Sequence, residues 1–248
     1  MNEFSVRVHL PRENFDVDVD LRAAGALALT GASGSGKSSV LRAVAGLEPR
    51  ASGRIVVSDS IWQDDRRSLP APLRDAGYLG QRDGLFPHLT AAENVAYTLR
   101  ASGASKLSAT AQSLEALDRL GLGEVASARP AALSGGQRRR VALARAIAPR
   151  RAIYLLDEPF SGLDSETADV AARFIAETFS AHAAPALIAG HDHFRLRRIC
   201  ARLESIERGK VVQNARPIGS AGRSRAQTAA RSPRSSVGTP AGFPGDSR

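Results

Sequence analysis

The stretch Gly31-Ala-Ser-Gly-Ser-Gly36-Lys37-Ser38 limits what this chain can fold into more than any other segment. Before it runs a short apolar segment, Ala26 to Leu29; after it, Ser39 to Ala45 contains no helix breaker and reaches Gly46. The order is therefore buried strand, glycine loop, helix with a glycine stop. Glycines in such a loop let successive backbone N–H groups turn toward an anion, while the following helix offers unpaired amides and the positive end of its dipole. A nucleotide phosphate cradle is predicted from Gly31, Ala32, Ser33, Gly34, Ser35, Gly36, Lys37, Ser38 and Ser39. Lys37 reaches the β- and γ-phosphates, and the Ser38 hydroxyl is a Mg²⁺ ligand. Lysine is scarce here, since Lys37, Lys106 and Lys210 are the only lysines among 34 basic residues.

Around this loop the pattern is α/β. Phe15 to Leu21 alternates apolar residues with Asp16, Asp18 and Asp20, which predicts a half-buried strand whose inward face includes Phe15. Further strands are expected at Arg54–Val57, Ala76–Leu79, Ile153–Leu156 and Ala186–Ala189, with a last hairpin about Arg208 and Gly209. Ala91 to Leu122 differs: Ala, Leu, Ser and Glu dominate, and Leu107, Leu114, Leu117 and Leu120 repeat at helical spacing. That composition predicts a helical subdomain, about residues 82–148, inserted in the α/β body.

A cation-holding carboxylate and a base belong at the end of another buried strand. Ile153-Tyr-Leu-Leu-Asp157-Glu158 supplies both: Asp157 for Mg²⁺, and Glu158 to orient and deprotonate an attacking water. Leu133-Ser134-Gly135-Gly136-Gln137 opens a strongly helical run through Ala148 and forms a second anion-binding turn. If the two phosphate-reading turns face opposite ways, two copies arranged head to tail complete each other's sites in a closed dimer. His191 and His193 flank an Asp without a further Cys or His ligand nearby, so a zinc site is not expected, and Cys200 is read as core filler.

Taken in order, Gly31–Ser38, Gln81, Leu133–Gln137, Asp157-Glu158, Ser161-Gly162-Leu163-Asp164 and His191 resemble the ATP-binding subunits of ABC transporters across most of residues 1–215. The resemblance implies a P-loop NTPase core with a mixed sheet, an N-terminal antiparallel β subdomain and an inserted helical subdomain. It implies ATP and Mg²⁺ as cofactors and ATP hydrolysis as the activity. Gln81 would touch Mg²⁺ and the attacking water. Ser134, Gly135, Gly136 and Gln137 would meet the γ-phosphate held by the opposite subunit. Asp164 would line the dimer interface, and His191 would hydrogen-bond the γ-phosphate and Glu158. The partners implied are a second cassette, identical or not, and separate membrane permease subunits, with an extracytoplasmic solute-binding protein compatible with import. Gly84-Leu-Phe-Pro-His-Leu-Thr90, Ile61-Trp62-Gln63 and Leu73-Arg74 are most similar to importers of the molybdate type, with thiamine, sulfate and polyamine importers as alternatives.

Two departures from the family pattern stand out. Gly190 occupies a place usually held by Ser. No Trp or Tyr precedes Trp62, which leaves Phe4, His9 and Phe15 as candidates to stack on adenine. With Phe15 assigned inward, His9 is expected there, with modest base affinity.

Charge and composition set the remaining expectations. Of the net charge of +9, about half falls in 216–248, which holds six Arg against Asp246 and is rich in Ser, Gly, Ala and Pro. That segment is expected to be a disordered, solvated tail. The remainder is only mildly basic, so nucleic acid is not expected as a partner, although soluble cassettes acting on nucleic acid or ribosomes form a rival class. No run approaches a membrane span, the start is charged rather than leader-like, and one cysteine suits a reducing compartment. The expected location is the cytoplasm, peripheral on the inner face of the cell membrane.

Overall fold

The computed structural model describes residues 3–212. The expected basic tail, 216–248, lies outside the described residues. The chain opens with β1 (Glu3–Leu10) and β2 (Val17–Ala24), paired antiparallel from Glu3↔Ala24 to Leu10↔Val17. Alternation buries Phe4, Val6, Val8 and Leu10 against Val17, Val19 and Leu21, and turns the aspartates out. The strand begins two residues later than expected, so Phe15 stays out of the ladder, half-buried.

Then follow β3 (Ala26–Thr30), α1 (Lys37–Val44), β4 (Ser52–Val57), β5 (Ser60–Gln63), β6 (Ala76–Leu79), α2 (Ala91–Ala101), α3 (Lys106–Arg119) and α4 (Gly135–Ile147). The described chain closes with β7 (Ile153–Asp157), α5 (Ser165–His182), β8 (Ala186–Ala189), α6 (His193–Ile199), β9 (Arg202–Glu207) and β10 (Lys210–Val212). All strands join one mixed sheet in the order β5-β4-β1-β2-β10-β9-β3-β8-β7-β6. Its β9-β3-β8-β7-β6 portion is parallel, while β5-β4-β1-β2 is antiparallel.

The strands next to the phosphate loop are covered on both faces, which explains their unbroken apolar runs. Within β7, Ile153 and Leu155 join the core shared with α1 and the antiparallel strands; Tyr154 and Leu156 join the core shared with the helical insertion and α5. The same parity carries Asp157 to the α1 side.

Between β6 and β7, the helices α2, α3 and α4 form the inserted helical subdomain. Thr90 and Glu93 make a capping box at the start of α2, and Ser105 caps α3. The buried stripe of α3 is Ala109, Ser113, Ala116 and Leu117, whereas Leu107 is 85% exposed. Small residues at helical spacing let α2 and α3 approach, leaving Leu107 and Leu114 beside the seam instead of inside it. No described helix is long and apolar enough to cross a membrane.

Candidate functional site

The parallel strands end on one rim, and the loops leaving them build a cavity of ≈ 460 Å³. Gly31 starts the phosphate loop at φ +134°, where a Cβ would stand 2.2 Å from the Ile206 carbonyl oxygen. The loop therefore rests on β9 with no room for a side chain at its first position. Gly36 caps α1 at φ +110°. At the far end of the loop, the Gly209 N–H donates to Ser35 O at 2.9 Å, so the hairpin turn steadies the cradle.

Lys37 is 5% exposed, and its Nζ donates to the Gly31 and Ala32 carbonyls at 2.8 and 2.9 Å. Burial lowers its affinity for the proton, opposed by the negative charges of Glu158 and Asp157. Ser38 Oγ donates to Asp157 Oδ1 at 3.0 Å and accepts from Gln81 Nε2 at 2.9 Å. Asp157 is 1% exposed; burial pushes its carboxyl up, and the Ser38 bond, Arg139 and Lys37 pull it back. His191 Nε2 stands 3.1 Å from Glu158 Oε1. Glu158 itself holds φ +50°, an uncommon conformation for a side-chain-bearing residue and a mark of local strain at the strand end.

These residues suit a phosphate and a hard cation. The buried Ser35 Oγ has no partner among the described residues. The oxygens of Ser38, Asp157 and Gln81 form a hard-ligand set. Among the described residues no cluster of three His, Cys, Asp or Glu occurs, so a cation here would rely on phosphate oxygens as well.

Ser33, Gly34, Gly36, Lys37, Ser38, Ser39, Gln81, Glu158 and His191 all line the cavity, as the sequence pattern suggested. Gly31, Ala32, Ser35 and Asp157 stand behind the lining, and Ser134, Gly135, Gly136, Gln137 and Asp164 lie away from it. They meet elsewhere: a Cβ on Gly136 would lie 3.5 Å from Gly162 O, so the serine-glycine turn abuts the loop leading to Asp164. Ser134 and Gln137 form a capping box, Ser134 Oγ accepting from Gln137 N at 3.2 Å and Gln137 Oε1 from Ser134 N at 2.8 Å. As an acceptor, the Ser134 hydroxyl still has its hydrogen to donate. Asp164 caps α5 through the Thr167 N–H, which holds its carboxyl below the usual range.

Several features were hidden in the sequence. Phe15 lines the cavity beside Gly36, with Arg12 near it, whereas His9 lies in a neighbouring hollow that Phe15 also borders. The strand's later start leaves Phe15 out of the ladder and beside the cavity, so its ring joins His9 as a candidate to meet a base. Asp192, between the two histidines, caps α6 and pairs with Arg195 at 2.6 Å. Arg139, on α4, bonds the carbonyls of Gly80, Asp157 and Glu158. The signal that could have found it is helical spacing, which puts 139 on one stripe with Ala142, Leu143 and Ala146, all buried.

The sequence pattern of the ABC transporter family matches residues 15–161, from the cavity's Phe15 through the Asp157-Glu158 strand end. The chain belongs to that family. It carries the ATP-binding (nucleotide-binding) domain of an ABC transporter, in the mixed α/β P-loop fold with an inserted helical subdomain. It is 35% identical over 215 residues to the molybdenum import ATP-binding protein of Methylococcus capsulatus, a match covering 86% of this chain and 59% of that one. It is 37% identical over 199 residues to an Fe(3+) ions import ATP-binding protein of Haemophilus influenzae, covering 80% and 56%. This ABC domain thus spans less than two thirds of the length of these curated relatives. An ATP-binding cassette solved as a dimer in a post-hydrolysis state, bound to ADP and Pi, superimposes with a TM-score of 0.72 at 26% identity, covering 84% of this chain and 96% of that one.

Proposed function

We propose that this chain binds ATP with Mg²⁺, hydrolyses it as one half of a cassette dimer, and energises an importer through separate membrane permease subunits. One observation carries the proposal: Gln81 and Ser38 line the same glycine-loop cavity as Glu158 and His191, and an unbroken run of contacts leads from Gln81 through Ser38 to the buried Asp157 behind it. A cavity that only bound phosphate would have no use for a strained glutamate beside it.

In this reading Gly31–Ser39 hold the phosphates through backbone N–H groups, and Lys37 turns from loop carbonyls to the β- and γ-oxygens. Ser38, Gln81 and Asp157 hold Mg²⁺, which when bound neutralises charge on the phosphate oxygens. Glu158 takes a proton from the attacking water, and His191 orients the Glu158 carboxylate while reaching the γ-phosphate. Phe15 offers its ring to the base.

Ser134–Gln137 and Asp164 lie outside the cavity, with Ser134, Gly135 and Asp164 exposed and Gly136 and Gln137 half-buried, which suits their serving a nucleotide held by a second copy. Phe86 packs edge-to-face on Tyr97, itself 54% exposed, so the segment after Gln81 presents aromatic surface suited to a permease helix. That docking would hold the chain on the inner face of the membrane. Molybdate or a similar small solute is the proposed cargo, supported by the molybdenum importer relative and limited by the Fe(3+) relative at like identity. The test is phosphate release from ATP by the full chain, with identification of the membrane protein that co-purifies. Hydrolysis that needs Mg²⁺, and a co-purifying permease, are expected. Absence of hydrolysis with and without that permease would overturn the proposal.

A further inference from the structure

Arg139 lies in the second turn of α4, whose N-cap is Ser134, and is buried, 4% exposed. NH1 donates to Gly80 O at 2.7 Å; NH2 donates to Asp157 O at 2.5 Å and Glu158 O at 2.9 Å. The carboxylate nearest it, Asp83, is 3.4 Å from NH1. These acceptors are backbone carbonyls, one just after β6 and two at the end of β7. Gly80 immediately precedes Gln81. The Asp157 and Glu158 carbonyls belong to the two peptide units that flank the Glu158 α-carbon. Fixing both peptides fixes φ and ψ at that carbon and so the direction in which its side chain leaves. Glu158 needs such restraint, because its φ of +50° is a conformation other side chains rarely adopt. The Glu158 N–H is held too, by Ala189 O at 2.8 Å.

A planar fork is required to bond carbonyls at two strand ends at once, and a lysine ammonium on a flexible stem cannot reproduce it. Arg139 Nε has no partner among the described residues, a cost that an apolar side chain filling the same space would not incur.

We propose that Arg139 is a positioning residue for hydrolysis: it sets the backbone of Glu158, aims the carboxylate at the attacking water, and ties that geometry and the Gln81 loop to the helix that starts at Ser134. The proposal rests on Glu158 being the base. The experiment compares Arg139→Ala and Arg139→Lys, alone and with Glu158→Gln, in the full chain. It reads kcat, KM for ATP, equilibrium ATP binding and thermal melting. A misaimed base costs about 10²-fold in kcat for Arg139→Ala and on the order of tenfold for Arg139→Lys, with ATP affinity kept within about threefold. On top of Glu158→Gln, either change lowers single-turnover hydrolysis by less than about threefold, because the group being aimed is already gone. If Arg139→Ala does not melt cooperatively, Arg139→Lys, which keeps charge and length, decides. Unchanged kcat in Arg139→Lys and Arg139→Ala overturns the proposal. So does a loss confined to KM, or a full additive loss with Glu158→Gln. Glu158→Gln alone reports on the base assignment, so the two assignments fail separately.

Discussion

Replacing Glu158 by Gln removes basicity and little else. The substituted carbonyl can still accept from His191 Nε2, now 3.1 Å from Oε1. The Arg139 bond to the residue-158 carbonyl is a backbone contact, and the φ of +50° is common to both side chains, so neither changes. The opposite corner of the carboxylate has room, since a Cβ built on Gly190 would stand 3.7 Å from Oε2. What is lost is a proton acceptor, a contribution of about 10²–10⁴-fold in rate, or roughly 3–5 kcal/mol of transition-state stabilisation. Binding moves the other way. One negative charge leaves the vicinity of the triphosphate, so ATP should bind as well as before or more tightly, by on the order of 1 kcal/mol. Steady-state phosphate release and titration with a fluorescent ATP analogue separate the two effects. A variant hydrolysing within about threefold of the parent would refute the assignment of Glu158 as base; equal losses in rate and affinity would show that the cavity had been distorted.

Phe15→Ala should weaken ATP binding by about 1–3 kcal/mol while His9→Ala leaves it unchanged, and because stacking tolerates any base, GTP should bind nearly as well as ATP; nucleotide titrations on both variants check this. Gly31→Ala forces a positive φ and a clash with the Ile206 carbonyl, costing about 2–6 kcal/mol, and should abolish nucleotide binding or folding, as read by thermal melting with and without ATP. Burial pushes the Tyr154 hydroxyl, which donates to Pro149 O at 3.0 Å, up to about 12. Above pH 10 the unfolded chain therefore loses that proton before the folded one does, and stability should fall as pH rises from about 10 to 12. Tyr154→Phe removes that contribution to the slope, at a cost of about 1–2 kcal/mol at neutral pH.

Much of the fold was legible because its strands end in punctuation. Ala26–Leu29, Ile153–Leu156 and Ala186–Ala189 are apolar runs stopped by glycine or acid, and each became a parallel strand whose loop enters the site. The cradle was legible for the same reason: local backbone freedom, helix start and lysine sit in eight consecutive residues. What lay hidden depends on distant packing. Alternation alone could not tell that the strand after Phe15 begins at Val17, because the register with β1, ending at Leu10↔Val17, decides where the ladder starts. The leucine spacing marked α3 as a helix but not its whole buried face: Leu117 and Leu120 are buried, while close approach to α2 buries Ala109, Ser113 and Ala116 and leaves Leu107 and Leu114 exposed. Trp62, Gln63 and Arg74, which resemble one class of importer, are buried; Gln63 bonds Ala51 O and Arg74 bonds Ala43 and Val44. Burial gives these three a packing role, whereas Leu73 beside Arg74 is exposed.

The decisive question is whether each nucleotide is enclosed by two chains. Ser33, exposed on the phosphate loop, and Ser134, exposed at the serine-glycine turn, can both be changed to Cys in a Glu158→Gln background, where the native Cys200 is buried and does not compete. A composite site predicts that Mg-ATP induces a disulfide between residue 33 of one chain and residue 134 of another, giving a dimer on a non-reducing gel and that peptide pair by mass spectrometry. A disulfide formed within one chain, or a nucleotide-saturated protein that stays monomeric and uncrosslinked, would contradict it.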